Sequence, residues 1–123
     1  MEFDGLSNKI IGCVIEVHKN LGPGLLESTY ERCLAYELNA KGLKYETQKE
    51  IPIEYKGIKL DAGYRIDIMV ENSVILELKS VEKILPIHEA QILTYMKLAE
   101  TRTGLLINYN VLKVKDGIKR FVL

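Results

Sequence analysis

The chain has 123 residues, 47% hydrophobic and 28% charged, which excludes a disordered or fibrous protein and fits one domain burying roughly two-thirds of its unfolded surface. Its 17 basic and 17 acidic residues cancel to zero net charge, so a grip on nucleic acid must come from a local patch. No apolar run is long enough for a membrane span, the polar start MEFDGLSNK has no signal-peptide core, and Cys13 and Cys33 sit among apolar residues; a cytoplasmic protein with reduced thiols and no membrane partner is expected.

Helical spacing of Leu6, Ile10, Cys13, Val14, Val17 and Leu21 predicts a first helix over 5–20, stopped by Asn20-Leu21-Gly22-Pro23-Gly24,. A second helix is expected from Leu25 to Lys41, with Gly42 as its stop,. From Tyr45 the period becomes two. Ile51, Ile53 and Tyr55 lead to a Lys56-Gly57 turn, and Ile58, Leu60, Ala62, Tyr64, Ile66, Ile68 and Val70 follow as one apolar row,. The turn sets Tyr55 against Ile58 and Ile53 against Leu60, so the two rows coincide. A second turn, Glu71-Asn72-Ser73, precedes a strand over Val74–Val81. Leu85-Pro86 opens a third helix running to about Thr101, Gly104–Tyr109 reads as a short buried strand, and Lys119–Leu123 as an edge strand,. The order is α-α-β-β-β-α-β(-β): an α+β domain with helices flanking one mixed sheet.

Polar groups in unexpected places mark the candidate chemistry. Asp67 lies opposite the Ile66/Ile68 row, while Glu77 and Lys79 share a face of the next strand,. A two-residue turn would pair Asp67 with Leu78; a three-residue loop over Glu71 to Ser73 pairs Val70 with Val74, and hence Asp67 with Glu77. The second register is preferred, because such loops accept a left-handed Asn. Two carboxylates that close repel unless a cation lies between them or one takes a proton. Oxygen ligation of this kind suits Mg²⁺ or Mn²⁺, and a neighbouring lysine can stabilise developing negative charge. The residue types fit equally well a solvated strand face with alternating charges.

On the second helix Glu27 shares a stripe with Tyr30, Leu34 and Leu38, and needs either a backbone partner or a metal,. On the third, His88, Gln91 and Tyr95 share a stripe with Ile92. Gln91 and Tyr95 are suited to water or phosphate, with a core aromatic the alternative for Tyr95; His88 is a weaker candidate. Arg65 reads as a phosphate clamp or an ion-pair partner. His18 suits the charge at the end of the first helix.

Gly24-Leu25-Leu26-Glu27-Ser28-Thr29-Tyr30 resembles the signature of the prokaryotic GxxExxY proteins, which fall in the PD-(D/E)XK nuclease superfamily. The likeness extends to His18 with Leu21-Gly22-Pro23-Gly24, to Tyr64-Arg65-Ile66-Asp67, Val74–Lys79, His88-Glu89-Ala90-Gln91 with Tyr95, and Gly104-Leu105-Leu106-Ile107-Asn108. It implies a restriction-endonuclease-like α-β-β-β-α-β core. It also implies metal binding by Asp67, Glu77 and Glu27, with Lys79 and Gln91 at the matching lysine and glutamine positions; Tyr95 is read beside them as a further catalytic residue, and Arg65, Tyr30 and His88 as lesser substrate contacts. Ile66 replaces the proline that precedes the aspartate in the superfamily motif. The expectation is a Mg²⁺- or Mn²⁺-dependent nuclease acting on nucleic acid as a homodimer; the alternative is a non-catalytic binding or assembly module on the same fold.

Overall fold

The computed structural model describes residues 4–123, the Ala62 side chain excepted; residues 1–3 of the polar start and the place of Ala62 in the apolar row lie outside the described residues. The order is α1 (Gly5–Leu21), α2 (Glu27–Ala40), β1 (Tyr45–Tyr55), β2 (Ile58–Val70), β3 (Val74–Lys79), α3 (Pro86–Leu98), β4 (Thr103–Asn108), a short 3-10 turn (Val114–Gly117) and β5 (Ile118–Val122). The α+β class and the element order match the sequence reading; the 3-10 turn, which has no apolar period, was not anticipated. Among the described residues no helix is long and apolar enough to cross a membrane.

The five strands lie side by side in chain order. Only β3 and β4 run parallel, joined by the α3 crossover; the other pairs are antiparallel. Helices α1 and α2 cover one face, where Ile10, Val14, Leu34 and Leu38 meet Ile68, Val70, Leu76 and Leu105. Helix α3 covers the other, where Ile92 and Met96 meet Ile51, Ile66, Ile75 and Leu106. A strand covered on both faces reads as an unbroken apolar run. In β3 that run is Val74-Ile75-Leu76, then Glu77, then Leu78.

Lys56 and Gly57 both take positive φ, 51° and 81°, as a two-residue hairpin turn requires. Tyr55 duly pairs with Ile58 and Ile53 with Leu60. Past Pro52 the register slips by two residues, so that Ile51 faces Tyr64, and Gly63 absorbs the bend at φ 76°. A proline inside a strand has no N–H to give the ladder, which favours a bulge at that point. The apolar row of β2 is also not one row. Ile66 packs toward α3, whereas Ile68 and Val70 pack toward α1 and α2. The change of side occurs at Asp67, where side-chain bonds replace the ladder.

Two other boundaries move. Strand β3 stops at Lys79, not Val81, because Glu27 takes the N–H of Ser80 and Asn108 takes that of Val81. Helix α3 stops at Leu98, not Thr101: Glu100 turns left-handed at φ 56° and the Thr101 N–H returns to Met96 O. Helix α3 sits close on β4 because residue 104 is glycine; a Cβ there would lie 2.7 Å from Met96 Sδ and 3.1 Å from Ile92 Cδ1. Gly104→Val is therefore expected to destabilise the fold by about 1–3 kcal/mol through overpacking, read as a lowered urea midpoint with unchanged slope. An unaltered midpoint would show that α3 does not press on β4.

Candidate functional site

The ladder between β2 and β3 runs Val70↔Val74, Met69↔Ile75, Ile68↔Leu76 and then ends. This is the register of the three-residue loop, with Glu71 and Asn72 left-handed at φ 50° and 51°. Its next pair would be Asp67 and Glu77. There the strands bond through carboxylates: Asp67 N–H donates to Glu77 Oε2 at 2.8 Å, and Leu78 N–H donates to Asp67 Oδ2 at 2.8 Å. The two acids fill the fork where the strands part.

Glu77 is only 3% exposed. Burial, then the charge of Asp67, pushes its carboxyl up to about 8. Burial also raises Asp67, against the N–H of Leu78 and the charge of Lys79, which lower it. A half-desolvated pair of acids cannot comfortably carry two charges. Each commits one oxygen to a backbone N–H, which leaves Glu77 Oε1 and Asp67 Oδ1 outside the backbone bonding, the latter within reach of the Gln48 amide.

Lys79 follows on β3. Its Nζ donates to Gln91 Oε1 at 3.3 Å, and Gln91 Nε2 donates to Tyr95 Oη at 3.3 Å. The lysine is thus tethered to α3, and Tyr95 keeps its own proton to give. Burial, then Glu77, raises the Tyr95 phenol above its ordinary range. Tyr95 is buried, and its ring meets Tyr64 edge-on at 6.3 Å.

Glu27 is brought to the fork but not into a cage. It stands exposed at the start of α2, and its Oε2 accepts the Ser80 N–H at 3.1 Å. The expected inward orientation is therefore corrected. The backbone partner it needs comes from the segment after β3, not from its own helix. Among the described residues no three His, Cys, Asp or Glu side chains are grouped as a metal cage, so a direct three-carboxylate site of Asp67, Glu77 and Glu27 is not formed.

The lesser candidates are placed elsewhere. Tyr30 is wholly buried and stacked on Tyr109 at 4.3 Å, with its hydroxyl donating to Gly22 O at 2.6 Å and accepting from Leu25 N–H at 3.2 Å. It braces the 22–25 loop and is closed to substrate, a correction to its expected contact. Arg65 pairs with Glu50 in the β1–β2 ladder, and its charge favours the ionised carboxylates of Glu50 and Asp61. His88 spends Nδ1 on the Leu85 N–H that opens α3. Buried His18 is bonded to Val111 O at 2.8 Å, a structural role.

Two polar residues were not singled out from sequence. Gln48 holds φ 51° in β1, donates to Glu31 Oε1 at 2.6 Å and reaches Asp67 Oδ1 at 3.4 Å. Glu27, Glu31, Gln48 and Asp67 line one cleft of about 290 Å³. Glu31 is four residues beyond Glu27, one helical turn on, a signal the sequence does carry. Gln48 carried none, because extending the hairpin-tip register would have set Glu46 opposite Asp67. The bulge at Pro52 shifts that place to Gln48, between Thr47↔Ile68 and Lys49↔Ile66.

The fork thus sets two acids beside a lysine that lies two residues on from Glu77 and is tethered to α3. A family model of the PD-(D/E)XK nuclease superfamily matches residues 4–121. The chain belongs to the PD-(D/E)XK nuclease superfamily. No curated protein and no solved structure matches it significantly. Within the superfamily frame, the fork of β2 and β3 is where the chain concentrates buried acidic charge.

The shifted acids give a pH signature. The folded chain holds a proton on Glu77 up to about pH 8 that the unfolded chain gives up near pH 4.3. Folding takes up that proton in between, so this stability is fully present below the unfolded value and lost as pH rises through 8. The melting temperature in EDTA is expected to fall from pH 6 to pH 9, and Glu77→Gln to flatten the slope. A wild-type melting temperature that rises over that range, or an equal slope in the variant, would contradict the assignment.

Proposed function

We propose that this chain is a metal-dependent phosphodiesterase of nucleic acid, with Mg²⁺ or Mn²⁺ as cofactor, in the GxxExxY branch that its Gly24–Tyr30 signature resembles. The observation that carries the reading is Glu77: an acid amid the apolar run of a doubly covered strand, bonded to the backbone of a second acid and followed by a tethered lysine. Packing alone would have put an aliphatic residue there.

The donor set fits the group. Mg²⁺ commonly takes one or two carboxylates and keeps water or phosphate oxygens for its other positions, so Asp67 and Glu77 suffice without a cage. When bound, the ion supplies charge neutralisation on the phosphate and a more acidic water. Asp67 and Glu77 would hold it, with Glu27 as a water-mediated neighbour. Lys79 stabilises the negative charge that builds on the phosphate oxygens as water attacks phosphorus and the P–O bond breaks. Gln91 aims that ammonium, and the Tyr95 hydroxyl donates to water or to a phosphate oxygen.

With DNA and RNA, single and double stranded, at millimolar Mg²⁺ or Mn²⁺, cleavage is expected to drop about 10²–10³-fold in Lys79→Ala. Undiminished cleavage in that variant removes the fork from the mechanism. Calorimetric Mn²⁺ uptake is expected in the wild type and lost in Asp67→Asn. Absence of uptake, with no cutting, favours the binding or assembly module that zero net charge also suits.

A further inference from the structure

Lys79, which follows the fork on β3, lines a groove of about 610 Å³ between the β1–β2 hairpin and α3. Leu60 and Tyr64 of the hairpin form one wall, Ile87 and Leu98 of α3 the other, and Lys79 and Tyr95 line it as well. This surface is apolar and uncovered: Leu60 and Tyr64 are each 46% exposed, and Ile87 67%. We propose that this groove receives an unstacked nucleobase of the strand whose phosphate lies at the fork, which makes the substrate single-stranded or frayed nucleic acid in preference to intact duplex. The inference rests on the proposed function and names the substrate class of the same site.

Three observations carry it. The first is proximity: Lys79, whose charge acts on both Asp67 and Glu77, lines the groove with its tether partners Gln91 and Tyr95, so a ligand reaching from the lysine into the groove presents charge at one place and an apolar face at the next. A nucleotide with its base swung out of the stack has that form. The second is charge. Among the described residues lining the groove Lys79 is the only Lys or Arg, and the chain as a whole is neutral. Holding a duplex depends on neutralising a run of phosphates, which this surface cannot do. Stacking on aromatic and apolar side chains needs no such run. The third is chemistry at the edge: the Thr94 hydroxyl and the His88 ring line the groove and offer hydrogen bonds to a base rim, while Tyr64, braced edge-on by Tyr95, supplies the ring.

The test uses the purified full chain in EDTA, where no cutting occurs, with fluorescence anisotropy on a short mixed-sequence DNA strand. The same strand as a blunt duplex and an abasic strand of equal length are the comparisons. The base-bearing single strand is expected to bind about tenfold or more tighter than either, and Tyr64→Ala to remove about tenfold of that affinity while leaving the abasic strand unaffected. Ile87→Asp, at a site that is mostly solvent, provides a second variant with the same expected direction, its fold checked by circular dichroism. Equal affinity for base-bearing and abasic strands overturns the inference. So does a light-scattering dimer that Tyr64→Ala converts to monomer, since a second copy would then fill the groove. Lys79-dependent cutting in Mn²⁺ at equal rates on single strand and duplex overturns this inference alone. No Asp67-dependent Mn²⁺ uptake and no cutting overturns the proposed function, and this with it.

Discussion

The burial of Glu77 is the constraint from which the rest of the molecule follows. A carboxylate in a strand covered on both faces has no water to solvate it, and leaving it charged and unpaired would cost more than a small domain can spare. The chain offsets that cost in two ways. The Asp67 N–H gives it a hydrogen bond that would otherwise belong to the ladder, and a proton or cation relieves the charge it shares with Asp67. Both answers require β2 and β3 to part after Ile68 and Leu76. The fork is thus the structural consequence of burying the acid.

The surroundings are built to hold the fork in one shape. On the hairpin side, Pro52 and Gly63 shift the register of β1 so that an amide, Gln48, stands against Asp67. Without the shift a third carboxylate, Glu46, would face it and add to the repulsion. On the opposite side, the segment after β3 is captured twice. Ser80 gives its N–H to Glu27 and its hydroxyl to Leu25 O. Buried Asn108 bonds both the N–H and the carbonyl of Val81. These bonds draw the backbone out of the sheet directly after Lys79. Lys79 itself still pairs with Asn108 of β4, while its side chain reaches Gln91 of α3.

The two faces of the sheet are covered unequally. The α1–α2 face is the larger apolar cluster, closed by the Tyr30–Tyr109 stack and by Tyr30's bonds to the 22–25 loop. It secures α2 and with it Glu27. The α3 face is smaller and ends in exposed apolar residues where the hairpin runs past the helix. That face stops short of covering its own hydrophobic residues and leaves a groove beside Lys79,.

Much of this was legible in the residues alone. Helical spacing, the Lys56-Gly57 turn and the alternation in the strands are local properties, set by backbone geometry within a few residues, and they yield every helix and strand in order. The three-residue loop at Glu71–Ser73 is local too, so the pairing of Asp67 with Glu77 could be reasoned from turn chemistry. What the sequence could not decide was anything that depends on two distant segments competing for one partner. The side on which Ile66 packs, the arrival of Gln48 opposite Asp67, the early end of β3 and the role of Tyr30 as a loop brace all turn on long-range hydrogen bonds. Such bonds are won by whichever group the packed chain brings nearest, and a linear pattern holds no record of that distance.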